Sequence, residues 1–243
     1  MTNTSTPPFQ LPDIYLNQLP TGSVKTAVDR LGRMIATGAF AEGDTIPIEA
    51  ELCKMLDVSR TVVREAIKVL SAKSVVRTAR RYGTKVLPFE CWNLLDPDVL
   101  LWHDPEHPST ARLHASGLQM RVIFEPEAAK LAAVNATASQ RERILLAAEQ
   151  LMPEPFSFES MKAADYAFHT TILEASGNLM LAQLSGVILA SLRVSYAKGE
   201  IALVDRATHI EIAEAIAQER PEVAGSLMFA MLSCTASAME AVA

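Results

Sequence analysis

Two groups of residues have the types and spacing to do chemistry. The first lies in VSRTVVREAIKVL, Val58 to Leu70, where Arg60, Arg64 and Lys68 recur every four residues. On a helix this spacing puts three cations and Thr61 on one face, with Val63, Ala66, Ile67 and Leu70 on the other. A guanidinium is a planar fork that matches the O6/N7 edge of guanine or a phosphate. Ser59 and Thr61 stand at the start of the same helix, where hydroxyls and free N–H groups can take a phosphate. The second group is Asp165 and His169, at i and i+4 in AADYAFHTTILEASGN, with His209 in THIEIAEAIA. A carboxylate with imidazoles suits Zn²⁺ or a similar divalent ion. Spacing alone fits equally well a hydrogen-bonded i,i+4 pair and an unrelated histidine.

The charge balance separates the two groups. The chain of 243 residues has a formal net charge of -6. Residues 1–88 nevertheless hold 12 Lys and Arg against 8 Asp and Glu, and between Lys54 and Lys85 nine bases face only Asp57 and Glu65. A compact basic region on an acidic protein points to a polyanion bound at one end. Hydrophobic residues make up 49% of the sequence, which places it among folded chains and not disordered tails. No run approaches the roughly 18 uninterrupted apolar residues of a membrane span. The opening MTNTSTPPFQLPDIYLNQLP reads as a polar arm without the pattern of a signal peptide. Cys53, Cys91 and Cys234 are too scattered for a zinc spacing and odd in number for a disulfide framework, so a reducing cytoplasm is the expected compartment.

The elements that must position these residues follow from periodicity. Val24, Ala27, Val28, Leu31 and Ile35 predict a first helix, with Ser23 able to cap its start and Gly38 able to end it. A Gly-Asp turn, a brief strand at Ile46 and a helix after Pro47 follow. The Asp57-Val58 turn then leads to the helix capped by Ser59. SVVRTARRYGTKVLP alternates about Tyr82-Gly83 and predicts a two-stranded hairpin. Helix, turn, helix and hairpin make a winged helix-turn-helix over residues 22–88, after the arm of residues 1–21. The wing brings Arg80, Arg81 and Lys85. Residues 89–108, rich in Asp and Pro, read as a linker. Residues 109–243 read as an antiparallel bundle of six to seven helices, so the fold is mainly α. The helices are expected near 110–134, 139–152, 159–174, 179–198, 206–219 and 221–241, with breaks at Thr137, Pro153 to Pro155, Gly177-Asn178, Gly199 and Pro221. His103, His107 and His114 read as linker or surface residues.

At this point the sequence resembles a known family. PIEAELCKMLDVSRTVVREAIKVLSAKSVVRTARRYGTKV is similar to the DNA-binding domain of GntR-type bacterial regulators. It carries Pro-x-Glu-x-x-Leu, then Val-Ser-Arg-x-x-Val-Arg-Glu-Ala, then a glycine at the wing. The resemblance implies DNA contacts from Ser59, Arg60, Thr61 and Arg64 and from the wing residues Arg80, Arg81 and Gly83. Many members have an arginine where this chain has Ala50. Asp-x-x-x-His followed by Ser-Gly-Asn, and Arg121-x-x-x-Glu125-Pro126, resemble the all-helical FCD effector domain of the FadR-like subfamily. That resemblance implies a divalent metal held by Asp165, His169 and His209, with Met231 standing where a third histidine usually lies. A thioether is a poor ligand for a hard or borderline cation.

Arg121 inside a helical cavity fits an organic acid, since its guanidinium can pair with a carboxylate in two places. Arg193 is a second candidate for that role, and Asn178 a candidate donor with a competing role as a helix cap. The segment CWNLLDPDVLLWH is similar to that of members responding to sugar acids such as galactonate. The resulting expectation is a homodimeric, non-enzymatic regulator in the cytoplasm. It would be a repressor that leaves operator DNA when a sugar acid binds, with no membrane partner. The alternatives are the same regulator answering a uronate, another aldonate or another small carboxylate, a metal-dependent hydrolase or lyase, and an effector-independent DNA binder.

Overall fold

The computed structural model describes residues 22–104, 107, 110–152, 155, 157–197 and 205–240. The arm read over residues 1–21 and the breaks read at Pro153 and Gly199 lie outside them. The chain divides into two compact units at Ala111/Arg112.

In the amino-terminal unit, α1 (Ser23–Ala36) buries Ala27, Val28, Leu31 and Ile35. Ser23 is its first residue and not its cap, which is Gly22. Its end follows the glycine signal: Gly38 has φ 82°, its N–H bonds the Ile35 carbonyl at 3.0 Å, and Ala39 N–H bonds Met34 O at 2.8 Å. This is the paired closure of a Schellman motif, which satisfies carbonyls the helix leaves open. Next come α2 (Glu49–Leu56) and, after a left-handed Asp57, α3 (Arg60–Ala72). The Ser59 hydroxyl accepts from Val62 N–H at 3.4 Å, as its position before the helix predicts. Strands β1 (Val76–Ala79) and β2 (Gly83–Val86) pair antiparallel, Val76 opposite Val86 and Ala79 opposite Gly83, around a turn at Arg80 to Tyr82. Thr45 bridges to Lys85, so the strand expected at Ile46 is a single bridge on the wing's edge.

The segment read as a linker is packed into this unit. After a 3-10 turn at Phe89–Cys91, α4 (Pro97–Trp102) puts Val99 and Trp102 into the same core as Leu31, Leu52, Val63 and Leu70. Trp102 lies over α1, where a Cβ on Gly32 would come within 2.4 Å of its ring, and its indole N–H bonds Asp29 at 3.0 Å. The buried Lys73 ammonium bonds Asp96 and, at 2.8 Å, Asp98. Thus the acids and tryptophans that gave the segment its irregular look are the groups that dock it. His103 is buried against Phe89 and Trp92, not at the surface.

The carboxy-terminal unit is helical throughout among the described residues. It contains α5 (Thr110–Asn135), α6 (Ala138–Glu149), α7 (Phe158–Ala175), α8 (Leu179–Ala182), α9 (Ser185–Ala197), α10 (Arg206–Ala217) and α11 (Pro221–Glu240). The helix expected over 179–198 is therefore two, and the mainly α architecture stands. Thr137 caps α6 with its hydroxyl and receives the Gln140 side chain in return, a reciprocal capping box. Helix α7 is the centre of the bundle, packed on α6 and α9, with 12 of its 18 residues buried. Gly117 on α5 leaves room for Ser191 on α9, whose Oγ would lie 2.9 Å from an added Cβ. His114, read as a surface residue, is buried and within 3.2 Å of the Ser195 hydroxyl. The stretch Leu179–Tyr196 is long and apolar enough to cross a bilayer by composition, but it is broken between α8 and α9 and 44% of it is buried in the bundle.

Candidate DNA-binding and effector sites

The basic helix sits as its pattern requires. Val63, Ala66 and Leu70 of α3 are buried on α1, while Arg60, Thr61, Arg64 and Lys68 face water. Two of these cations have partners. Arg64 Nε lies 2.9 and 3.0 Å from the two carboxylate oxygens of Glu49 on α2, and Lys68 pairs with Glu65 at 2.8 Å. The hydrogen bond and charge of Arg64 lower the Glu49 pKa, and Glu49 raises that of Arg64. Bonding through Nε holds the guanidinium in place and leaves its two terminal nitrogens outside that contact. In the wing, Arg80 and Arg81 are exposed at the turn. Arg81 has φ 72° and Gly83 φ 78°, and Gly83 lies against Thr45 with no room for a Cβ. Exposed bases on a helix face and a wing tip, in a unit whose other faces form its core, are an arrangement for a phosphate backbone and a major groove.

In the carboxy-terminal unit, α7 carries Asp165 and His169 on one face and α10 supplies His209, all three buried. Asp165 Oδ1 lies 3.4 Å from His169 Nε2 and 3.3 Å from His209 Nε2. Ligand bonds of about 2.1 Å in tetrahedral array give ligand–ligand edges of about 3.4 Å, so these separations match a zinc-like ion. The outer nitrogens are also set for it. His209 Nδ1 bonds the Asp205 backbone carbonyl at 2.7 Å and His169 Nδ1 bonds Glu125 Oε2 at 2.5 Å. Each imidazole so held directs Nε2 inward, the usual arrangement for a metal-ligating histidine. His209 Nε2 is buried without a hydrogen-bond partner. A buried, unpartnered ring nitrogen beside a carboxylate fits an ion, and the three residues fit the metal that the family resemblance implies.

Arg121 on α5 is buried and bonded through Nε to Glu125, the i,i+4 pair its spacing allowed. Glu125 thus bridges Arg121 and His169. Burial pushes its carboxyl up, but the two cationic neighbours outweigh this and hold it at about 2. Burial opposes ionisation of Asp165 too, yet the adjacent imidazoles of His169 and His209 hold its pKa well below the usual range. Burial disfavours a charged His169, and Glu125 and Asp165 more than compensate, raising its pKa. The Tyr196 hydroxyl on α9 donates to Asp165 Oδ2 at 2.5 Å, and burial and the carboxylate push its pKa up.

One pocket of about 40 Å³ gathers Arg121, Asp165, His169, Tyr196, His209 and Met231. Met231 therefore lies at the site, at the position where the resemblance placed a missing histidine. Arg193 lines a different cavity. Asn178 is exposed and its Oδ1 accepts from Met180 and Leu181 N–H at 2.9 and 3.3 Å, so it caps α8 and faces neither cavity. Of the two roles its spacing allowed, the cap is the one its side-chain oxygen fills. Tyr196 was not foreseen. Its signal was its place four residues after Leu192, which puts both on the inward face of α9.

A winged helix-turn-helix with an exposed basic helix, joined in one chain to a helical domain that buries an acid–imidazole–guanidinium cluster, defines a DNA-binding transcriptional regulator. Comparison with known families gives the particular one. Residues 23–86 match "Bacterial regulatory proteins, gntR family" and residues 117–233 match the FCD domain. The galactonate operon transcriptional repressor of Escherichia coli K12 is 34% identical over 163 residues, 67% of this chain and 70% of that protein. The regulator YieP of the same organism is 37% identical over 155 residues, 63% of this chain and 67% of that protein. The chain belongs to the gntR family of regulators with an FCD domain, and these similarities are to transcriptional regulators and not to enzymes. A solved structure of Lar, which controls the agr system of Listeria monocytogenes, shares the fold. It has a TM-score of 0.63 at 17% identity, covering 93% of this chain and all of that one.

Proposed function

We propose that the chain is a homodimeric repressor that leaves its operator when a sugar acid of the galactonate type binds the carboxy-terminal unit. The observation that carries this reading is the composition of the inner pocket. With both imidazoles neutral, as ligation of an ion would require, Asp165 and Glu125 would oppose Arg121 and the divalent ion, leaving one positive charge for one carboxylate to neutralise. Asp165, His169 and His209 would hold the ion, and it would supply a Lewis-acidic anchor for the acid's carboxylate or hydroxyl oxygens. Arg121 keeps that end of the pocket cationic, while Glu125 fixes both the guanidinium and the His169 ring. With Met231 in place of a third histidine, an ion held by these residues would have room for an oxygen of the effector as a further ligand.

The pocket's size adds a condition. About 40 Å³ accommodates roughly three water molecules at 10–15 Å³ each, which is too little for a six-carbon acid. Admission of the acid therefore requires this pocket to enlarge. The similarity to the galactonate operon repressor supports both the effector class and the sign of regulation. A stripe of exposed apolar residues on α5, Ile123, Leu131 and Val134, supports a second copy as partner. The site of action is the cytoplasm, where operator DNA is.

In DNA binding, α3 would enter the major groove, with Ser59, Arg60, Thr61 and Arg64 at its leading end and Arg80, Arg81 and Gly83 of the wing along the backbone. The test is fluorescence anisotropy of the protein on its own upstream DNA at fixed salt, titrated with D-galactonate. Release of the DNA is the expected result. Tight binding indifferent to galactonate, with release by a uronate or another aldonate, would replace the effector. Binding indifferent to every such acid would remove the sugar-acid reading.

A further inference from the structure

The wing carries a row of charge that no role assigned so far uses. In the hairpin register Val76 lies opposite Val86, and Arg77 opposite Lys85. Side chains alternate across a strand. Val76 and Val86, both buried, mark the inner face, so Arg77 and Lys85 share the outer one. Thr45 bridges to Lys85 on its other side and adds a third member to the row. All three residues are exposed. Toward the turn the same face has little relief, because the next outward pair is Ala79 and Gly83.

Residues directly opposite in an antiparallel pair have Cβ atoms about 4.5–5.5 Å apart, and like charges so placed destabilise the sheet. Among the described residues, neither cation has a side-chain hydrogen bond or ion pair that would offset this. The acid next to Thr45, Asp44, turns its carboxylate to the Ala41 N–H at 2.9 Å. Lysine on an edge strand commonly guards against unwanted pairing. That does not explain Lys85, which has Arg77 on one side and Thr45 on the other and so stands on no edge. A repulsive pair kept in water without a counter-charge is an arrangement for an anion supplied from outside.

We infer that the outer face of the wing is a further phosphate-contacting surface for DNA, with Arg77 and Lys85 as its cations and the Thr45 hydroxyl as an added donor. This rests on the DNA-binding reading and extends it from α3 and the wing tip to the flat of the hairpin. DNA is the partner because the row continues the basic surface of the exposed Arg80 and Arg81 at the turn. Two cations and a hydroxyl bind phosphate oxygens without reading bases, so the contact adds affinity to any duplex. A phosphate held there also relieves the repulsion between Arg77 and Lys85.

The test uses the full-length protein in anisotropy titrations on its own upstream DNA and on an unrelated duplex, across a salt series. Arg77→Gln and Lys85→Gln should each weaken binding to both duplexes a few-fold at moderate salt. Each should lower the slope of log K against log salt by about one, and the double variant by about two. Arg220→Gln makes the same charge change at an exposed position of the carboxy-terminal unit and should leave the slope unaltered. In thermal melts without DNA, each wing variant should melt no lower than the native protein, because it removes a repulsion. An unaltered slope in the double variant, with native binding intact, overturns this inference alone. So does an equal change of slope in Arg220→Gln, which would make the effect one of overall charge. So does a change of slope accompanied by a lowered melting temperature, which would make the pair structural. A native protein that binds neither duplex would overturn the DNA-binding reading and this inference with it.

Discussion

The two charged regions of this chain are built on opposite terms. On α3 and the wing, Arg60, Arg64, Lys68, Arg80 and Arg81 stand in water, and the partners Glu49 and Glu65 are half-buried at the surface. Such pairs add little to folding and are screened by salt, so the cations remain available to a polyanion. In the helical unit, Arg121, Glu125, Asp165, His169 and His209 are all buried, and each is held by another member of the group or by the adjacent backbone. There desolvation makes every charge depend on its neighbours. Charges laid on a surface can be removed one at a time with the fold intact, whereas charges closed into a core act as a unit.

The largest effect expected from this contrast is in the core. Glu125→Ala strands the Arg121 guanidinium and the Glu125-facing nitrogen of His169 in the bundle interior. Breaking one partner out of a buried charge network typically costs about 3–5 kcal/mol. Thermal unfolding followed by circular dichroism should show the carboxy-terminal unit melting well below the native protein, with a smaller loss for Glu125→Gln, which keeps the shape and one acceptor. An unchanged melting temperature for Glu125→Ala would mean that the network is already solvated, and the contrast between the regions would fail. The same melts with zinc added should show a rise for the native protein that Asp165→Ala and His209→Ala abolish, because an ion bound only to the folded state stabilises it.

Legibility in the sequence divides along the same line. The surface group was readable because a solvent-facing cation obeys helical spacing alone. Arg60, Arg64 and Lys68 needed no partner to be found, and the apolar residues between them fixed the face. The core group was readable only in part. Asp165 and His169 announce each other at i,i+4, and Arg121 and Glu125 do the same, but nothing in the spacing brings α10, α9 and α5 to α7. His209 and Met231 were placed by family resemblance, and Tyr196 and the link from Glu125 to His169 by the fold. Asn178 stayed open between two alternatives, because an asparagine after a glycine has the same spacing whether it caps a helix or meets a ligand. The packing of the segment read as a linker, residues 89–108, was not legible because composition reports irregular backbone. It does not report that Lys73, sixteen residues upstream of the segment's first residue, waits for Asp96 and Asp98.

The middle-sized effect sharpens the surface half of the comparison. Arg64→Ala should lower operator affinity about ten- to hundredfold, the range for losing one bidentate base contact. Affinity for unrelated DNA should fall far less, and the melting curve should not move. The pair with Glu49 gives a second arm. Glu49→Gln keeps an acceptor near Nε but removes the charge, so it should preserve sequence preference. Loss of preference in that variant, with overall affinity intact, would show that the carboxylate's charge, more than its geometry, sets the Arg64 position. Unaltered operator affinity in Arg64→Ala would move the base-reading role off this face of α3.

The smallest effect is at the wing. Arg81 is exposed at the turn, in a left-handed conformation that puts it at the tip of the hairpin and away from the core. A cation there that touches backbone phosphate contributes about one counterion to the salt dependence and carries no sequence information. Arg81→Ala should therefore weaken operator and unrelated DNA alike, by a few-fold at moderate salt, and lower the slope of log K against log salt by about one. The measurement is a pair of anisotropy titrations across a salt series, compared variant against native. A uniform loss with the shallower slope places the wing on the backbone, as a positioning contact. A loss confined to the operator, with the slope unchanged, would instead make Arg81 a reader of groove width or base edges. The wing would then join α3 as a source of specificity.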